Sequence, residues 1–243
     1  MAKVEETFEM RMAANASPGC IVFCGHRKTN LSVLMRRFVD YMLDRPQSSD
    51  AAEELAVEVY TSTPDPLWTG ILDGRSADAR IKVEVLSMLC ACDDHIFLPH
   101  RLESRFGSAK KPSNHLIVVM DHLGSNYMES DMIRYMMRSA CDFNVTLLLR
   151  TYTPPQCVDA RMEDHANVVV LAWDAEPNAR KKAWETFGTS FGTEEEFGNL
   201  YKSLTTAKGA STPSMALVME YGGAANIAYG CNIPRVVTVG LKH

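Results

Sequence analysis

Two short, uninterrupted apolar runs constrain this chain more than any other feature. Cys20, Ile21, Val22, Phe23 and Cys24 end at Gly25, and Leu116, Ile117, Val118, Val119 and Met120 end at Asp121. A strand with one wet face alternates apolar and polar residues, whereas a continuous run is expected of a strand covered on both faces, as in a parallel sheet with helices above and below. Each run also delivers a residue suited to chemistry to its C-terminal end, where open parallel sheets place their ligands.

The remaining segments fit that frame. Leu31, Leu34, Met35, Phe38, Val39, Met42 and Leu43 recur at helical spacing until Pro46 stops the pattern. Residues 55–60 read as a strand, followed by a loop with Pro64, Pro66 and Gly70 that carries Trp68. The apolar positions of 77–98 are compatible with a helix. Ile133, Met136, Met137 and Ala140 share a helical face, and Met132, Met136 and Met137 read as core filling. Residues 145–149 and 168–172 are further buried strands. Helices are expected at 181–187 and 197–204, the second opened by Thr193 with Glu196 three residues on, a capping-box pattern. Residues 214–219 read as a last sheet strand, and 227–239 is β-rich but broken by Gly230 and Pro234.

Strands alternating with helices predict an α/β fold, a mostly parallel sheet flanked by helices on both faces with a β-rich C-terminal stretch. Residues 1–19 are polar, broken by Asn15, Ser17, Pro18 and Gly19, and read as an N-terminal arm. Residues 20–243 read as one domain, since 243 residues with 46% apolar content suffice for one sizeable core.

Composition narrows the function classes. No apolar run is long enough to cross a bilayer and the N-terminus lacks a secretory pattern, which predicts a soluble protein of a reducing compartment. The seven cysteines form no C-x-x-C pair, so a disulfide framework is not expected. Cys90, Cys92, Asp93, Asp94 and His95 are crowded in sequence without a second ligand pair, and read as the end of a helix rather than a zinc site. A formal charge of −5 argues against adhesion to nucleic acid over the whole surface, while leaving room for a basic stripe on an assembled ring.

Between the first strand and its helix lie Gly25, His26, Arg27, Lys28, Thr29, Asn30, Leu31 and Ser32. A phosphate-binding loop needs glycines to wrap backbone N–H groups round the anion, a Lys for the outer phosphates and a hydroxyl for Mg²⁺. Gly25 and Ser32 keep the ends of that pattern, Asn30 stands at the second glycine and Leu31 at the Lys. Asn tolerates positive φ, whereas Leu supplies no cation, and Lys28 and Arg27 are the loop residues that would compensate. The partner segment ends in Asp121, placed to support a metal, and in His122, where an acid orients water in a hydrolase; neutral imidazole accepts protons near neutral pH. The competing reading is a different doubly wound protein with an ordinary turn there.

With those segments placed, residues 20–220 resemble the DNA-packaging ATPases of nucleo-cytoplasmic large DNA viruses, poxvirus-type members of the FtsK/HerA branch of P-loop ATPases. The resemblance is carried by Ile117-Val-Val-Met-Asp-His122, by 142–149 with Asn144 at the strand entry, by Pro154 and Pro155, and by Ala166-Asn167-Val168. Cys141 and Asp142 stand where the family has Arg and His, and Thr151 and Tyr152 where it has a Ser-Gln sensor. The resemblance implies a P-loop NTPase-type fold, ATP held by Gly25, Lys28, Thr29, Asn30, Leu31 and Ser32, and Mg²⁺ at Ser32 and Asp121. It implies catalysis through Asp121 and His122, a homo-oligomeric ring with arginines reaching a neighbour (Arg134, Arg138, Arg150 and Arg161 lie in the right region), and viral double-stranded DNA and capsid vertex proteins as partners. It also implies a place in a cytoplasmic virus factory or the virion. The replaced motif residues suit an alternative, a catalytically inactive paralogue acting as a structural or adaptor component.

Overall fold

The computed structural model describes residues 7–25, 29–44, 55–61, 65–71, 81–87, 91–92, 95–96, 100–107, 112–122, 130–152, 165–172, 177–205, 215–221 and 227–232. Ten strands and seven α-helices are described: α1 (Phe8–Asn15), β1 (Gly19–Cys24), α2 (Leu31–Asp44), β2 (Leu55–Thr61), α3 (Pro66–Thr69), β3 (Ile81–Ser87), β4 (Ala91–Cys92), β5 (His95–Ile96), α4 (His100–Phe106), β6 (His115–Asp121), α5 (Asp131–Ser139), β7 (Val145–Thr151), β8 (Val168–Ala172), α6 (Pro177–Ala183), α7 (Glu194–Thr205), β9 (Met215–Glu220) and β10 (Ile227–Asn232). Eight strands form one sheet in the order β10-β9-β8-β1-β7-β6-β2-β3, and β4 pairs with β5 in a small separate hairpin. Pairing is parallel from β8 through β3, while β9 and β10 run antiparallel at one edge.

The apolar runs occupy the centre because they can be covered on both sides. Every residue of β1 is buried, and its side chains divide between two cores. Cys20, Val22 and Cys24 pack with α5 (Ile133, Met136, Met137) and α7 (Phe197, Tyr201), and Ile21 and Phe23 with α1 (Met12) and α2 (Leu31, Leu34, Met35, Phe38). The Cys20 thiol is pushed far up by that burial, so this cysteine is an inert core residue. Strand β7 lies between β1 and β6, which places one strand between Gly25 and Asp121. The capping box at the start of α7 is present: Thr193 N donates to Glu196 Oε2 (2.8 Å), and Glu196 N to Thr193 Oγ1 (3.3 Å).

The structure corrects four expectations. Within 77–98, residues 81–87 form a parallel strand paired with β2. Ile81, Val83 and Val85 alternate with Lys82 and Glu84, and that two-residue period outweighs the looser helical match. Residues 1–19 are not merely an arm, because α1 docks on α2 through buried Met12, Ala13 and Ala16. Arg37 pairs with Glu9 at 2.6 Å across that contact. Met132 is 40% exposed while Met136 and Met137 are buried, so Met132 is not core filling. Trp68 sits not in a loop but in the short helix α3, capped by Asp65 accepting from Leu67 N at 2.8 Å. Of the stretch 227–239, 227–232 is strand and the rest lies outside the described residues. So do Cys90, Asp93 and Asp94; among the described residues no group of His, Cys, Asp and Glu could hold a metal by itself.

Candidate functional site at the C-terminal ends of the central strands

Strand β1 ends in a turn that requires glycine. Gly25 has φ +156°, and a Cβ there would lie 2.7 Å from Ala172 Cβ on β8 and 3.3 Å from Leu31 Cδ1. Its N–H donates to Thr151 O at the end of β7 (3.0 Å), fixing the start of the loop against the neighbouring strand. Beyond it, Asn30 O accepts from Val33 N (3.1 Å), and α2 starts at Leu31. Leu31 is fully buried in the α2 core, so its side chain forms the floor beneath the turn and contributes no charge above it. Fourteen residues of helix direct their N-terminus at this place, an arrangement that favours anions. His26, Arg27 and Lys28 lie outside the described residues.

Asp121 closes β6 and is completely buried. Both of its oxygens accept hydrogen bonds: Ser32 Oγ donates to Oδ1 (3.1 Å) and the Trp68 indole Nε1–H to Oδ2 (2.9 Å). Ser32 and Asp121, 89 positions apart, therefore share one crevice. Arg36 on α2 clamps α3 by donating to the carbonyls of Leu67 and Gly70, the latter at 3.1 Å, and so holds Trp68 in place.

His122 leaves the strand with φ +58°. Its Nδ1 is 2.5 Å from Tyr152 Oη, and its Nε2 lies 3.4 Å from Asp65 Oδ2 and 3.6 Å from Asp121 Oδ2. A neutral ring carries one donor and one acceptor nitrogen. With Nε2–H facing two carboxylates, Nδ1 accepts from the tyrosine; with both nitrogens protonated, both donate. In either arrangement the imidazole links Tyr152, Asp65 and Asp121 at the ends of their elements.

Arg150, on β7, is 1% exposed. It donates to Phe23 O (3.5 Å), Thr151 O (3.2 Å) and Thr29 Oγ1 (3.2 Å), and its guanidinium lies 5.5 Å from the centre of the Tyr152 ring. These contacts hold it against the ends of β1 and β7. Arg134 pairs with Asp131 (2.7 Å), Arg138 is exposed, and Arg161 lies outside the described residues.

The structure thus assembles Gly25, Thr29, Asn30, Leu31, Ser32, Asp121 and His122 at one end of the sheet. Asn144 and Asn167 are not there: each precedes its strand at the opposite end, where Asn167 Oδ1 accepts from Cys20 N (2.7 Å) and Asn144 adopts φ +54°. Sequence reasoning missed Asp65 and the contact made by Trp68. The Asp65-Pro66 pair was the available signal, since Asp before Pro marks a helix cap. Ser32 Oγ and Asp121 Oδ1 are separated by about the ~3 Å edge of a magnesium octahedron with bonds of roughly 2.1 Å, so their spacing fits the ion.

These features define the class: an α/β fold of the P-loop NTPase type, with its loop and acidic strand end facing one crevice. No family model matches the sequence, and no curated protein is similar to it. Among solved structures, the chain is similar to B204, the DNA-packaging ATPase of Sulfolobus turreted icosahedral virus, at 13% identity over 87% of this chain and 97% of that one, with a TM-score of 0.53. The genome-packaging NTPase B204 of Sulfolobus turreted icosahedral virus 2, in complex with ATPγS, matches at 11% identity over 88% and 98%, with a TM-score of 0.50. At such identities the likeness establishes a shared fold.

Proposed function

We propose that this chain is a nucleotide-binding protein of the viral genome-packaging ATPase type, holding Mg·ATP between the loop 25–32 and Asp121. The contact between Ser32 and Asp121 supports this most directly, because it joins the hydroxyl and the carboxylate that a phosphate-bound Mg²⁺ requires in one crevice. The neighbours in the fold are named as packaging ATPases, which supports viral double-stranded DNA as the polymer handled and a ring of copies with capsid vertex proteins as its setting. The finer assignment, to the nucleo-cytoplasmic large DNA virus branch, rests on the order of segments across 20–220. A virus factory or the virion follows from it, and among the described residues no helix is long and apolar enough to cross a membrane.

A second reading, a non-hydrolysing adaptor paralogue, is favoured by Leu31 in the core and by an Asp121 whose two oxygens both accept from protein donors. Calorimetric titration with Mg·ATP, followed by phosphate release with and without double-stranded DNA, separates the two. Turnover stimulated by DNA and abolished in Asp121→Ala is the result expected for a packaging ATPase. Binding without turnover, with stable self-assembly, assigns the adaptor role, and absence of binding refutes the nucleotide site itself.

A further inference from the structure

We propose that Trp68 sets which cation the site accepts: by holding Asp121 Oδ2 it leaves Oδ1 as the oxygen offered to a metal, an arrangement that selects Mg²⁺ over Ca²⁺. The inference rests on the nucleotide site proposed above. The two oxygens of Asp121 meet different chemistry. At Oδ2 stands the indole Nε1–H of Trp68 (2.9 Å), a group that only donates, with His122 Nε2 3.6 Å away. At Oδ1 stands the Ser32 hydroxyl (3.1 Å), which keeps acceptor lone pairs for a cation while it donates its hydrogen. The side of the carboxylate turned to Ser32 is therefore the side that suits a phosphate-bound metal.

The carboxylate is also kept from turning. Asp121 and Trp68 are both fully buried, and the indole comes from a helix fixed at both ends. Asp65 caps the start of α3 through Leu67 N (2.8 Å), and Arg36 donates to the carbonyls of Leu67 and Gly70, the latter at 3.1 Å. Arg36 is itself braced by Asp40 (2.9 Å), one turn further along α2. Helix α2 thus positions the Ser32 hydroxyl directly and the carboxylate through Arg36, α3 and the indole. Mg²⁺ requires near-octahedral geometry at about 2.1 Å, which one carboxylate oxygen beside a hydroxyl can serve, whereas Ca²⁺ takes about six to eight oxygens at longer range and gains from a carboxylate that turns to offer both. Trp68 acts as a positioning residue that denies the second mode.

The test titrates AMPPCP, which resists hydrolysis, into the full chain by calorimetry in saturating Mg²⁺ and in saturating Ca²⁺, for wild type and Trp68→Phe. The wild type should bind at least about tenfold tighter with Mg²⁺, and Trp68→Phe should narrow that ratio by about fivefold or more through loss of the Mg²⁺ complex, the scale expected when a partner that orients a metal ligand is removed. If Trp68→Phe does not fold, Arg36→Lys, which keeps a charge for Asp40 but not the fork that holds both carbonyls, is judged by the same ratio. An indole that served packing alone would lower both affinities together. Narrowing by less than about fivefold, such a parallel loss included, overturns the inference and leaves the nucleotide site standing, as does a wild type that binds no tighter with Mg²⁺ than with Ca²⁺. Failure of the wild-type chain to bind the nucleotide with either metal overturns both.

Discussion

Replacing Trp68 by Phe isolates what α3 does for the acidic strand end. The indole is fully buried, and its Nε1–H donates at 2.9 Å to Oδ2 of an Asp121 that is itself 0% exposed. A hydrogen bond to a charged group contributes about 1.5–3 kcal/mol, and exchanging the indole for a phenyl ring leaves a gap that costs about 1–2 kcal/mol more. His122 Nε2, 3.6 Å from the same oxygen, can close in and recover part of the loss. The expected net destabilisation is about 3 kcal/mol, read as a shift of roughly 6–12 °C in Tm for a chain of this size. A double-mutant cycle with Asp121→Asn, measured by urea unfolding, separates the bond from the packing: the coupling should be about 2 kcal/mol. A coupling below about 0.5 kcal/mol would refute the claim that the indole anchors the carboxylate, whatever the single variant does.

Two further outcomes follow from the geometry. Gly25→Ala meets Ala172 Cβ at 2.7 Å in a backbone conformation that suits only glycine, so it should cost about 2–4 kcal/mol by thermal unfolding; a loss under about 1 kcal/mol would show that the turn opens without strain. The pKa of His115, bonded through Nε2 to Thr146 Oγ1 (2.8 Å), is lowered to about 4 by burial and by the charge of Arg105, so the folded state resists its protonation. Its contribution is complete above the unfolded value of about 6.5 and is lost as pH falls toward 4, about 3 kcal/mol in all, so the difference in unfolding free energy between wild type and His115→Gln should shrink across that window; a constant difference contradicts the assignment.

The sheet was legible wherever one strand carried its own signal. Runs such as 20–24, 116–120 and 168–172 are buried on both faces, so the residue pattern and the environment say the same thing. Strand β3 was hidden because its alternating residues sit inside a segment whose apolar positions also match a helix. Helix α1 was hidden because its buried face consists of little more than Met12, Ala13 and Ala16, and the breakers at 15–19 dominate the local composition.

The site was legible only to the extent that it follows the chain. A linear motif reads one strand at a time: it finds Gly25 and Ser32 on either side of a turn and Asp121 after an apolar run, and it records Leu31, His122 and Tyr152 as losses. The fold adds what lies beside them. Asp65 from the cap of α3 faces His122, Tyr152 from the end of β7 holds the other side of the same ring, and Arg150 donates to Thr29. Arg150 and Tyr152 stand at the C-terminal end of β7 and His122 at that of β6, while Asp65 comes from the cap of α3, so neighbours in space come from positions 65 to 152 of the sequence. A linear motif cannot register such contacts, because Trp68 and Asp121, or His122 and Tyr152, become partners only when the sheet brings their elements together.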